Sequence, residues 1–140
     1  MSLREYLHYL SNAPTLEDLW SAHTSKMAEY GFDRLLYGFT RFRTLTSLGD
    51  PEDFTILSNH DPSYIQGFIN DGLYYNAPML RWALEAEGAG SWRTLGEKFD
   101  KGQLTPQELK VIEFNLTHKV SAGYTISFKS VSARSKGAIS

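Results

Sequence analysis

Five rings and two hydroxyls in this sequence are placed where they could meet a small molecule. Tyr64 and Phe68 lie four residues apart, one helical turn. Tyr74 and Tyr75 stand together at a break in the pattern, and Trp92 comes beyond it. Thr125 and Ser140 fall in two later stretches of strand character. Rings, apolar walls and a few hydroxyls are what a mostly apolar ligand pocket uses. The same rings could equally fill a core, and spacing alone leaves both readings open.

Covalent chemistry finds less support. There is no cysteine, which excludes a disulfide scaffold, a thiolate metal site and a cysteine nucleophile. No GxGxxG, P-loop, HExxH or GxSxG occurs. His8, His23, His60 and His118 are far apart, with no pair at ligand spacing on one face. Asp61, Asp71 and Asp100 sit at turns or caps, and Glu85 with Glu87 reads as a solvated helix face. The basic cluster Arg41-Phe42-Arg43 could touch a phosphate, but it also reads as a surface strand end. Nothing assembles a nucleophile with a base, so no enzyme is expected, and no cofactor or metal is called for.

The elements that must position these residues follow from local signals. A helix over Leu3–Asn12 is stopped by Pro14. Thr15 caps a second, with Glu17 and Asp18 in its first turn, where negative charge suits the helix dipole, and Gly31 ends it. Residues 34–42 and 54–58 are rich in strand formers and flank a turn-rich stretch. On the first, Leu36, Gly38 and Thr40 share one face; Leu35, Tyr37, Phe39 and Arg41 share the other. Asp61 with Pro62 opens a helix that Gly72 ends. Another runs from Pro78 to about Glu87, stopped by Gly88 and Gly90, and Trp92 follows in irregular chain. Thr105-Pro106-Gln107-Glu108 is a capping box. Residues 123–131 form a strand, and a turn leads to a last strand that the chain end cuts off. The order predicts α+β: an antiparallel sheet with helices on both faces, and chain continuing past Ser140.

At 140 residues the chain fits one domain, able to bury about two thirds of its unfolded surface. Its aromatic content, 14%, exceeds what a plain small core requires. The net charge of −2 gives no basic field for nucleic acid. No secretion signal and no apolar run of about 18 residues is present, so no membrane span is expected and a cytoplasmic location is.

Order and spacing together resemble the autoinducer-binding domain of the LuxR family of quorum-sensing regulators. The family pattern is Trp, three residues, Tyr, eight residues, Asp-Pro, and Trp after thirteen more; here Tyr64, Phe68, Ala77-Pro78 and Trp92 stand at those spacings. Leu35-Leu36-Tyr37-Gly38-Phe39 resembles the family's early strand. Gly123-Tyr124-Thr125 and residues 136–140 resemble its Gly-x-Thr and Gly-x-Leu-Ser region. The resemblance implies an α/β/α sandwich with a central antiparallel sheet. It implies an N-acyl homoserine lactone held between the sheet and one helical layer, and a homodimer. DNA would be contacted only through a helix-turn-helix domain that this chain lacks.

Carried over by position, Tyr64 replaces the Trp that donates to the lactone carbonyl. Phe68 replaces a Tyr whose hydroxyl meets the acyl carbonyl. Trp92 keeps the ring that packs on the head group. Thr125, Ser140 and His60 fall at positions that often offer hydroxyls, and Leu36, Gly38 and Thr40 would line the acyl side. Ala77 replaces the Asp that accepts the ligand's amide N–H, a charge-assisted bond worth roughly 1.5–3 kcal/mol. Ala77 is also among the poorest N-caps, so Asn76 is expected to take the cap back by one residue, and its amide could reach the pocket. Tyr74 and Tyr75 are expected to split, one inward and one outward, with Tyr75 expected among the ligand contacts. The resulting expectation is a sensor for a small signal molecule, a lactone or an analogue with a different head group. The rival is a ligand-independent dimerisation domain whose rings fill the pocket; a small enzyme comes third.

Overall fold

The computed structural model describes residues 1–140. Two capped helices come first: α1 (Leu3–Asn12), with a capping box between Ser2 and Glu5, and α2 (Leu16–Glu29), capped by Thr15. Strands β1 (Leu36–Thr40) and β2 (Thr55–Ser58) follow. The helix opened by Asp61 and Pro62 is α3 (Pro62–Ile65), which loosens into a π-helical turn over Gln66–Asn70. Gly72 then adopts a left-handed φ of 85°, a conformation glycine takes at no steric cost. A 3-10 turn (Leu73–Asn76) leads into α4 (Pro78–Glu85). Next come β3 (Gly88–Ser91), α5 (Arg93–Asp100), α6 (Pro106–Thr117), β4 (Tyr124–Ser127) and β5 (Lys136–Ile139).

The five strands form one antiparallel sheet in the order β2-β1-β5-β4-β3. β5 is central, and Ser140 closes its pairing by exchanging backbone bonds with Leu36. Register places Leu36, Gly38 and Thr40 on one face with Ile56, Ala138, Ser140, Ser127 and Thr125. On that face lies α4, whose Ala83 carbonyl accepts from the Ser127 hydroxyl at 2.6 Å. The opposite face carries Phe39, Ile126 and Tyr124, and the Phe32 ring after α2 meets Tyr124 edge-on at 6.0 Å.

This second face is thinly covered: Tyr124, Ile126 and Phe128 keep 40–51% of their surface exposed. The accessible surface, 8992 Å², exceeds the roughly 7,400 Å² expected for a folded 15.9 kDa chain. No helix is long and apolar enough to cross a membrane.

Two elements depart from the sequence expectation. β3 is built from Gly-Ala-Gly-Ser, which lacks every residue type that favours strands. It pairs with β4 because Gly90 leaves room for the Trp82 ring; a Cβ there would sit 2.8 Å from it. After Trp92, where irregular chain was expected, α5 forms.

Candidate ligand-binding site

Between the sheet and the layer made by α3, the π-helical turn, α4 and α6 lies a cavity of about 730 Å³. Its lining continues past residues 119–124 to His23 and Met27 of α2, so the void runs round the strand ends towards the second face. That volume lies within the roughly 300–1,000 Å³ of small-molecule sites.

One wall is a ring stack. Tyr64 is 4% exposed, with His60 stacked on it at 4.2 Å, Phe114 at 5.3 Å and Phe68 at 5.5 Å. The His118 ring meets it edge-on at 5.4 Å. Its hydroxyl donates to Asn115 Oδ1 at 2.9 Å, so the phenol is committed to α6. Burial pushes the Tyr64 hydroxyl up to about 12. Burial also drives His60 down to about 4, with the Arg34 charge acting in the same direction, so the imidazole is neutral at pH 7. Gly67 makes the stack possible: a Cβ there would lie 2.6 Å from the Phe114 ring. The π-helical turn adds one residue to this stretch and brings both Phe68 and Ile69 to the cavity.

A short polar chain crosses the sheet end of the cavity. The Trp92 indole N–H donates to Thr125 Oγ1 at 2.9 Å, and the Thr125 and Ser140 hydroxyls are hydrogen-bonded to each other at 2.6 Å. Thr125 is 2% exposed. Thr125 Oγ1 and Ser140 Oγ retain acceptor capacity within an apolar surround. Arg34 anchors this end by donating from both terminal nitrogens to the carbonyls of His118 and Lys119.

Nine of the twelve residues singled out from the sequence line this one cavity: Leu36, Gly38, His60, Tyr64, Phe68, Ala77, Trp92, Thr125 and Ser140. Gly38 contributes space rather than contact; a Cβ there would meet only Ile56, at an ordinary 3.5 Å.

The other three lie off the cavity. Tyr75 is 56% exposed, and Tyr74 takes the inward place, 5% exposed, its hydroxyl donating to Gly49 O at 3.4 Å. The two tyrosines therefore split as expected, but the contact falls to Tyr74. Asn76 closes the 3-10 turn and lends no cap; Ala77 is the N-cap of α4, with no side-chain hydrogen bond there. Pro78, which has no N–H, leaves one fewer unpaired donor in the first turn. Thr40 lies on the expected face, but its hydroxyl turns back to accept from Phe42 N at 3.1 Å, where the strand ends.

Sequence reasoning missed Asn115, Ser127 and Lys136. Lys136 is 4% exposed, lines the cavity, and donates to Phe128 O at 3.0 Å and Ala86 O at 3.3 Å. Alternation along residues 136–140 already puts it on the face of Ala138 and Ser140. In the sequence it falls at the end of the turn before the last strand, where nothing singles it out.

An apolar cavity with ring walls and a hydroxyl chain is the architecture of a small-molecule-binding domain. The autoinducer binding domain profile matches residues 15–140, and the chain belongs to that family. Among solved structures it is similar to the crystal structure of the N-acylhomoserine lactone dependent LuxR family transcription factor CepR2 from Burkholderia cenocepacia. Identity is 18%, the TM-score is 0.72, and the match covers 98% of this chain and 73% of that one. At that identity the likeness carries the fold. No curated protein sequence matches the chain.

Proposed function

We propose that this chain is the signal-sensing domain of a LuxR-type transcriptional regulator, and that its signal differs at the head group from an N-acyl homoserine lactone. The observation that carries the reading is the 730 Å³ cavity, which the rings wall but do not fill. A ligand-independent dimerisation domain with a packed pocket predicts the opposite. The proposal retains the homodimer that the resemblance implies.

The altered head group rests on three positions. Ala77 lines the cavity and is 6% exposed, so no carboxylate stands there to accept an amide N–H. The Tyr64 hydroxyl is taken by Asn115, and Phe68 has none. A buried lactone N–H left without an acceptor costs about 1–3 kcal/mol.

The test is a thermal-shift titration with a panel of acyl homoserine lactones, run on the wild type and on Ala77→Asp. Ligand binding raises stability by mass action. We expect the wild type to respond weakly and Ala77→Asp to bind at least about tenfold more tightly, as an added charge-assisted bond predicts. Strong stabilisation of the wild type by a micromolar lactone would refute the altered head group. Mass spectrometry of molecules retained on the purified protein then names the ligand.

A further inference from the structure

Four charged residues line the cavity: Asp33, Arg34, Lys119 and Lys136. The single acid, Asp33, already faces Arg34 at 3.7 Å. Lys136 is the buried one. The chain's two ion pairs are Lys26–Glu29 and Arg34–Asp33, so no carboxylate reaches Lys136. An ammonium has three donors, and two are used, on Phe128 O and Ala86 O. Ala86 is the residue that ends α4, so part of this arrangement is a helix cap in which a cation meets the carbonyl end of the dipole.

Capping leaves the third proton and the charge uncompensated. Burial pushes the Lys136 ammonium below the usual lysine range; Arg43 acts in the same direction, and only Glu87 opposes. Burying an unpaired charge is expensive, and an anion supplied from outside is its natural complement. With alanine at position 77, no acid of the α4 side lines the cavity; Glu87 acts on Lys136 from outside the lining and makes no ion pair with it.

We propose that the ligand of this cavity carries a carboxylate that pairs with the Lys136 ammonium, with its apolar body against the ring wall. The inference rests on the ligand-binding reading above and deepens it. Lys136 and Ser140 lie on one face of one strand, four residues or about 13 Å apart. The guest is therefore an elongated weak acid, reaching from the Lys136 end towards the hydroxyl pair of Thr125 and Ser140.

The experiment uses the whole chain and a neutral fluorophore, N-phenylnaphthylamine, as a reporter of cavity occupancy. Dodecanoate and its methyl ester compete for the reporter on wild type, Lys136→Met, Lys136→Gln and Lys136→Arg. The quantity read is the acid-to-ester affinity ratio within each variant. We expect a ratio of at least about ten in the wild type, the order of one charge-assisted bond. It should be kept by Lys136→Arg and fall below about two in both neutral variants. Lys136→Gln can still donate to the α4 carbonyl, so it answers the question if the methionine variant does not fold.

A wild-type ratio near one would overturn the carboxylate while leaving the cavity standing. A ratio undiminished in both neutral variants would also overturn it, with Lys136 a helix cap only. A wild type that never takes up the fluorophore would instead sink the ligand-binding reading, and this inference with it.

Discussion

Replacing Thr125 with valine keeps the shape of the side chain and deletes one oxygen. That oxygen accepts from the Trp92 indole at 2.9 Å and meets Ser140 Oγ at 2.6 Å. Thr125 is buried, at 2% exposure, and Trp92 is half-buried. Valine cannot take the indole proton, so Trp92 Nε1 is left without its protein partner. Ser140 can rotate to another acceptor and recover part of its loss. An unsatisfied buried donor costs about 1–3 kcal/mol, and the added methyl returns a fraction, so we expect a net loss of about 1–2 kcal/mol. At about 2 cal/mol/K per residue, unfolding this 140-residue chain has an entropy near 0.3 kcal/mol/K, so the midpoint should fall by about 3–7 °C. Tryptophan fluorescence during a thermal melt reads this directly. A double-mutant cycle with Ser140→Ala sharpens it, because both variants break the same chain of bonds. Ser140→Ala should cost less in the Thr125→Val background than alone, with coupling of about 0.5–1.5 kcal/mol. A midpoint shift below 1 °C, or strict additivity, would refute the idea that this chain of hydroxyls holds the sheet end of the cavity together.

Two further expectations follow from the ring stack. His60 is held near 4 in the fold against an ordinary value near 6.5, so between those values the unfolded chain binds more protons than the folded one. Stability is therefore fully present above about pH 6.5 and is lost as pH falls towards 4. His23, also pushed down by burial, adds to the loss. His60→Phe keeps the stack and should flatten the melting-temperature profile across that window; an unchanged profile argues against a buried neutral imidazole at residue 60. Gly67→Ala drives a Cβ to 2.6 Å from the Phe114 ring and should destabilise by about 1–3 kcal/mol. Phe114→Leu in the same chain should recover part of that in a denaturant titration, whereas no recovery would place the strain elsewhere.

Much of the local structure was written in adjacent residues. Thr15, Asp61 with Pro62, and Thr105 with Glu108 satisfy the first N–H groups of their own helices, so these helix starts were readable from a few letters. The spacing of Tyr64, Phe68, Ala77 and Trp92 likewise predicted the family and the cavity wall. What it could not supply was direction across the fold. Tyr74 and Tyr75 are chemically alike, and only packing of the 3-10 turn against Phe54 and Gly49 sends the first inward. β3 has no strand propensity of its own; it exists because β4 offers an edge and Trp82 lies over Gly90.

The charge of the site was hidden for the same reason. Nothing next to Lys136 in the sequence marks it as buried; its burial depends on α4 ending at Ala86, whose carbonyl accepts from its ammonium. Caps and periods are contacts between near neighbours, which a sequence displays. Which hydroxyl, ring or ammonium faces a void is settled by contacts between residues 30 to 80 positions apart, such as Ser127 on Ala83 and Tyr64 on Asn115, and only the folded chain makes those.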